Sequence, residues 1–202
     1  MARVLVPPAR LERWVANFAD RHGATALAVT AGALRGDAED GSWFTAALPF
    51  DRTYSGPAEV AAVVTEAAAP PDWGVLLVRK GGFAVARLSG KRLQESKVGQ
   101  RHVQGRTKAG GQSQQRFARR RDNQAREAYG AAADHAARIL TELTGPLVTG
   151  GDHAAVGAVL TDPRLAGLTV VEPWLAVPDP RRAVLDAAIG DAQALQVDVE
   201  NA

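Results

Sequence analysis

The chain of 202 residues contains no cysteine. A disulfide scaffold, thiolate metal sites and a cysteine nucleophile are therefore excluded. No apolar run approaches the roughly 18 residues needed to span a membrane. Met1 to Pro8 holds too short an apolar stretch for a signal peptide. A soluble, cytoplasmic protein is the expectation. Nucleotide and hydrolase signatures are missing as well. No GxxxxGK string followed by Ser or Thr occurs, so there is no phosphate-cradling loop of that kind. The four histidines, His22, His102, His135 and His153, show neither HExxH nor paired spacing, and read as surface or helix-end residues rather than metal ligands. No serine sits in a GxSxG context, which disfavours a triad hydrolase. Neither a metal nor a cofactor is expected.

What is present is unevenly distributed. The net charge of +2 is bland, but Arg79 to Arg126 holds 14 Lys or Arg against only Glu95 and Asp122, a balance of +12. The other 154 residues carry 10 basic and 20 acidic side chains, a balance of −10. An acidic body bearing one basic segment points to a polyanion partner, most often nucleic acid. A solvated charged helix would explain an excess confined to a helix; this one also runs through a Gly/Gln-rich stretch. The bias of 20 Arg to 4 Lys suits bidentate phosphate contacts, although a GC-rich genome would produce it too.

Periodicity organises the rest. Residues 9 to 22 read as an amphipathic helix, with Leu11, Trp14, Val15 and Phe18 at helical spacing before Gly23. Thr25 to Thr30 reads as a buried strand, Gly36 to Gly41 as a polar turn and Ser42 to Phe50 as another strand. A helix is expected from Pro57 to Ala68, stopped by Pro70-Pro71. Trp73 to Arg79 and Phe83 to Leu88 form a hairpin around Lys80-Gly81-Gly82, with Arg92 to Val98 as a third strand. Ser113 to about Leu143 reads as one long helix. It begins with Arg116, Arg119, Arg120 and Arg121, then turns apolar at Ala125, Ala128, Tyr129, Ala132, Ala136, Ile139 and Leu143. Leu147 to Thr149 is a strand ending in Gly150-Gly151, followed by a helix to Leu160 with Asp152 as its cap. A strand over Leu168 to Val171 and a helix over Pro180 to Leu195 complete the chain. The expected fold is α/β, a mixed β-sheet with flanking helices in a single domain over 1–202.

Between the hairpin and the long helix, GQRHVQGRTKAGG can bury almost nothing. An exposed basic loop is expected at 99–113. At its end stand Gly110, Gly111 and Gln112. Two glycines permit backbone conformations closed to other residues and let a substrate come close. A glutamine amide does not ionise near neutral pH, so it cannot serve as an ordinary general base. It can orient a water molecule and donate hydrogen bonds to developing negative charge. Such a tip suits hydrolysis of an ester within another macromolecule's catalytic centre.

The longer string is more specific than GGQ alone. Gly110, Gly111, Gln112, Ser113, Arg116, Phe117, Ala118, Arg119 and Arg121 resemble the GGQS, RFAR and following arginine of archaeal and eukaryotic class-one peptide release factors. The resemblance spans roughly Trp73 to Gly151, the central catalytic domain of that family. About 72 residues precede it, with no NIKS-like decoding motif. The chain therefore looks like the stand-alone, bacterial branch related to Vms-type ribosome-rescue proteins. The resemblance implies a codon-independent peptidyl-tRNA hydrolase that frees nascent chains from stalled ribosomes or large subunits. Its active glutamine would be Gln112 or, because the motif varies in this branch, Gln114, with Gly110 and Gly111 shaping the approach. Arg101, Arg106, Lys108, Arg116, Arg119, Arg120 and Arg121 would contact RNA phosphates. The implied partners are large-subunit rRNA and peptidyl-tRNA, with no membrane and no DNA. A non-catalytic ribosome- or tRNA-binding module is the alternative. A metal-dependent tRNA nuclease lacks the clustered carboxylates it would need.

Overall fold

A computed structural model of the chain describes residues 1–100 and 127–202. The chain divides into two compact units. The first comprises Met1–Ala69, Val171–Pro173 and Ile189–Ala202, and the second Pro70–Val170 and Trp174–Ala188. The fold is α/β, as expected. In place of one mixed sheet, however, the chain builds two five-stranded sheets, one wholly antiparallel and one mixed.

The first sheet contains β1 (Ala2–Val6), β2 (Thr25–Thr30), β3 (Ala33–Ala38), β4 (Trp43–Ala47) and β10 (Leu195–Glu200), in the order β1-β10-β4-β3-β2. Its core is set by α1 (Leu11–His22) and α2 (Val60–Glu66). The expected apolar stripe of α1 is the packed one. Trp14 and Phe18 each meet the Phe44 ring edge-on, with centroids 5.1 Å apart. Such edge-to-face pairs add about 0.5–1.5 kcal/mol each beyond area burial.

Gly36, expected in a polar turn, lies in β3 beside Phe44 of β4. A Cβ there would drive into the Phe44 ring, so glycine serves here as a recess for an aromatic ring in mid-sheet. The expected turn is confined to Glu39–Gly41, between β3 and β4, where Gly41 adopts positive φ and donates its N–H to the Ala38 carbonyl at 3.1 Å. Ala31–Gly32, both at positive φ, close the β2–β3 hairpin with the twist that antiparallel strands favour. The other correction concerns the chain's ends. The helix expected to reach Leu195 stops at Ala192 in α5 (Arg182–Ala192), and Leu195 to Glu200 inserts between β1 and β4.

The second sheet has the order β7-β6-β5-β8-β9, from β5 (Trp73–Arg79), β6 (Gly82–Ser89), β7 (Arg92–Gln100), β8 (Pro146–Gly151) and β9 (Thr169–Leu175). The expected hairpin and third strand are present, in antiparallel register. Gly99 and Gln100, expected in the loop, continue β7 opposite Phe83 and Gly82. β5 pairs with β8 in parallel. Its residues Trp73 to Val78 are all buried, the continuous apolar run of a strand covered on both faces. α3 is helical over 127–139 and ends before the expected Leu143. It packs Ala132, Ala133, Ala136 and Ile139 with Leu76, Val78, Phe83 and Val85 in one core. In α4 (His153–Leu160), Asp152 is the cap as expected, accepting the Ala155 N–H at 3.0 Å.

Gly36→Ala is expected to destabilise the first unit by about 1–3 kcal/mol, the usual cost of overpacking a filled core. Urea denaturation followed by near-ultraviolet circular dichroism of the Trp14–Phe18–Phe44 cluster measures it. An unchanged transition would show that the ring moves aside freely.

Candidate functional site

The cross-strand registers define one edge of the second sheet. Arg79 pairs with Gly82, Gly82 with Gln100, and Val78 with Gly151. The carboxyl ends of β5, β7 and β8 therefore lie together. In open α/β sheets this edge is where ligands bind. The chain enters residues 101–126 from β7 at Gln100 and returns into α3. The root of α3 belongs to the same edge. Burial raises the phenol pKa of half-buried Tyr129, and the nearby Asp152 carboxylate raises it further.

The candidate residues Gly110, Gly111, Gln112 and Gln114, and the candidate phosphate contacts Arg101, Arg106, Lys108, Arg116, Arg119, Arg120 and Arg121, lie outside the described residues. The structure describes the two elements that flank them. β7 and α3 belong to the second unit, Phe83 stacks on His135 with ring centroids 5.5 Å apart, and Arg138 of α3 pairs with Glu95 of β7 at 2.6 Å. That ion pair is solvent-exposed and adds little stability; its geometry nonetheless ties the helix to the strand that leads into residues 101–126.

The far end of α3 is held by a stronger arrangement that the linear pattern concealed. Arg87 of β6 donates from Nε to Asp72 Oδ1 at 2.9 Å and from a terminal nitrogen to Oδ2 at 3.2 Å. The same guanidinium donates to the carbonyls of Thr141 and Glu142, just past α3. Asp72 also accepts from the Thr144 N–H at 2.9 Å and its hydroxyl at 3.1 Å. One carboxylate and one guanidinium thus fix the turn from α3 into β8. Burial pushes the Asp72 pKa up, but hydrogen bonds from Arg87 and Thr144 outweigh it, and the net shift is downward.

Exposed cations on the described part of the basic segment extend its charge. Lys80, Lys91 and Lys97 are exposed and have no carboxylate partner among the described residues. Arg79 is engaged, donating to the Val177 carbonyl at 2.8 Å and facing Asp179 at 3.5 Å. Three histidines have structural neighbours. His22 contacts Asp40 at 2.9 Å, His135 stacks on Phe83, and His153 stacks on Trp174; His102 lies outside the described residues. Among the described residues no group of three or more His, Asp or Glu could hold a metal ion. None of their helices is long and apolar enough to cross a membrane.

Asp72→Asn is expected to cost about 1–3 kcal/mol at neutral pH, since charge-assisted, part-buried hydrogen bonds are lost. The folded-state pKa of Asp72 is depressed, so its stabilisation is present above the unfolded carboxylate value and disappears as pH falls through the lower folded value. The stability gap between wild type and variant should therefore close below about pH 4. Denaturant titrations across acidic pH check this, and a gap independent of pH would exclude the ionised Asp72 as its source.

Residues 71–198 match the sequence model described as Actinobacteria/chloroflexi VLRF1 release factor. The match begins at the start of the second unit and runs through α5 into β10. It contains the Trp73 to Gly151 stretch that carries the release-factor resemblance and extends beyond it. Among solved structures, the chain is similar to the Vms1 mitochondrial localization core, with 12% identity, a TM-score of 0.46, and 93% of this chain and 80% of that one covered. It is also similar to Pelota from Archaeoglobus fulgidus, with 11% identity, a TM-score of 0.32, and 94% and 62% covered. Comparison with curated proteins gives no match.

Proposed function

Because this chain belongs to the Actinobacteria/chloroflexi VLRF1 release factor family, we propose that it is a codon-independent peptidyl-tRNA hydrolase. It frees nascent chains from stalled ribosomes or large subunits in the cytoplasm. The observation that carries this reading is the string from Gly110 to Arg121, GGQSQQRFARRR, inside the matched stretch. In this reading residues 1–202 act as one catalytic module, and the second unit carries the reactive segment.

The chemistry follows from the residue types. Peptidyl-tRNA is an ester of the terminal ribose, and its hydrolysis passes through a tetrahedral oxyanion. The Gln112 amide orients the attacking water through its carbonyl oxygen and offers its N–H to the oxyanion. Gly110 and Gly111 leave room for the ester, because a Cβ at either would narrow the approach. The ribosomal peptidyl transferase centre supplies the remaining surroundings. As the bond from the acyl carbon to the ribose oxygen breaks, the proton given up by the attacking water passes to that leaving oxygen through the surrounding ribosomal groups and water, so no titrating side chain is required of the motif. The arginines from Arg101 to Arg121, with Lys108, bind rRNA or tRNA phosphates. No NIKS-like string occurs among the 202 residues, so this chain by itself does not read the codon.

Gln112→Ala is expected to remove most hydrolysis with no loss of thermal stability. A release time course on complexes stalled at a sense codon, a stop codon or a truncated message, and on isolated large subunits carrying peptidyl-tRNA, measures both activity and codon dependence. Wild type should act comparably on the first three and at least as well on the last. Retained activity in Gln112→Ala, lost in Gln114→Ala, would move the active amide to Gln114. No release by wild type would leave a non-catalytic binding module, and a strong stop-codon preference would defeat codon independence.

Ribosome association is expected to weaken steeply with salt, because each neutralised phosphate releases counterions, about 0.7 log units of affinity per log salt for single-strand-like contacts. Replacing Arg119 and Arg120 together by alanine should flatten that slope in sedimentation assays over a range of potassium concentrations. An unchanged slope would remove these arginines from the contact surface.

A further inference from the structure

At the carboxyl edge of the second sheet, the imidazole of His153 lies face to face with the indole of Trp174. The ring centroids are 3.6 Å apart and the planes within 13°. His153 is exposed, whereas Trp174 is half-buried and packed against the core shared by β5, β6 and α3. One face of the imidazole is covered by the indole, so its exposed area lies on the opposite face and the rim. The result is a flat aromatic surface on a rigid base, which needs little further ordering to receive a second flat ring.

The surroundings select the type of ring. α4 reads HAAVGAVL and has no Asp, Glu, Lys or Arg, and its exposed positions Ala154, Gly157 and Ala158 are small. A Cβ added at Gly157 would meet nothing within 4 Å, so that part of the approach is unobstructed. A phosphate is disfavoured directly on the platform. Asp152 occupies the helix start, its carboxylate already accepting the Ala155 N–H at 3.0 Å. A neutral heterocycle meets no such repulsion. One strand away, exposed Lys80 follows β5, whose Val78 pairs with Gly151; the Asp179 carboxylate beside this turn faces Arg79 at 3.5 Å, and Lys80 has no carboxylate partner among the described residues. A neutral ring on His153 with an anion toward Lys80 is the pattern of a nucleotide.

We propose that the His153–Trp174 stack is a platform for an unpaired nucleobase of RNA, a reading that rests on the ribosomal role given above. Bases splayed out of helices are commonly held on aromatic side chains in this way. The base stacks on the open face of His153, and its phosphate lies toward Lys80. Ribosomal RNA and tRNA are two sources of the same chemistry.

The test uses the full chain and a short single-stranded oligouridylate carrying one 2-aminopurine, which stacks little on its uridine neighbours and whose fluorescence is quenched when it stacks on the platform. His153→Ala is expected to weaken binding by about five- to tenfold, the lower part of the range for one lost stacking contact, and to abolish the quench. His153→Phe should retain both. The salt slope should be the same in all three proteins, because no phosphate contact has been removed. Wild-type affinity in His153→Ala would overturn the proposal. So would rescue by His153→Lys but not by His153→Phe, since that places a cation–phosphate contact at this position.

Two further arms compare His153→Ala with wild type on isolated large subunits without tRNA and on free deacylated tRNA. Weakening on the subunits assigns the base to rRNA, and weakening on the tRNA assigns it to tRNA. Undiminished binding in both overturns the platform. Failure here is separable from failure of the proposed function. Gln112→Ala should lose peptide release yet quench the oligonucleotide normally, whereas intact release with no stacking signal sinks the platform alone.

Discussion

The parallel pairing of β5 with β8 is the constraint on which the second unit depends. Parallel neighbours cannot be joined by a tight turn; the chain must cross from one end of the sheet to the other. Here the connection from Arg79 to Pro146 carries β6, β7, residues 101–126 and α3. The basic segment is thus part of a crossover whose two flanks are held within the same unit. Trp73 to Val78, buried throughout, make β5 the strand against which both the hairpin and β8 are placed.

From this constraint follows the division of labour within the unit. A segment with one aliphatic side chain in GQRHVQGRTKAGG cannot organise a core of its own, so its supports must come from elsewhere. β7 is paired up to Gln100, and α3 buries Ala132, Ala136 and Ile139 against the sheet. At the distal end, Arg87 donates to Asp72 and to the Thr141 and Glu142 carbonyls, and Asp72 accepts the Thr144 N–H, which fixes the backbone after α3. Packing sets where the helix lies, while this polar clasp sets where it stops. Apolar contacts are non-directional, whereas hydrogen bonds to particular carbonyls specify one end point.

Among the described residues, paired and unpaired cations occur in both units. In the first, Arg3 is held by Asp198 and Arg35 by Asp37 on the same strand, so these cations are neutralised locally. In the second, Lys80, Lys91 and Lys97 lack carboxylate partners among the described residues. Cations without internal partners keep their field available to a polyanion.

The sequence by itself determined what depends on near neighbours. The α1 stripe of Leu11, Trp14 and Phe18, the hairpin from Trp73 to Leu88, the Asp152 cap and the string GGQSQQRFARRR were all legible because each is a local pattern. Tertiary structure decided what depends on partners distant in the chain. The alternation of Leu195, Val197 and Val199 with Gln196, Asp198 and Glu200 is a strand signal, but only pairing with β1 and β4 tells a strand from the end of α5. Gly36 carries a turn signal alone and becomes a recess once Phe44 lies beside it. His153 looks like an isolated helix-end residue until β9 brings Trp174 against it. Local propensity is written in adjacent side chains, while sheet order, ring stacking and the clasp on Asp72 come into being only when distant segments meet.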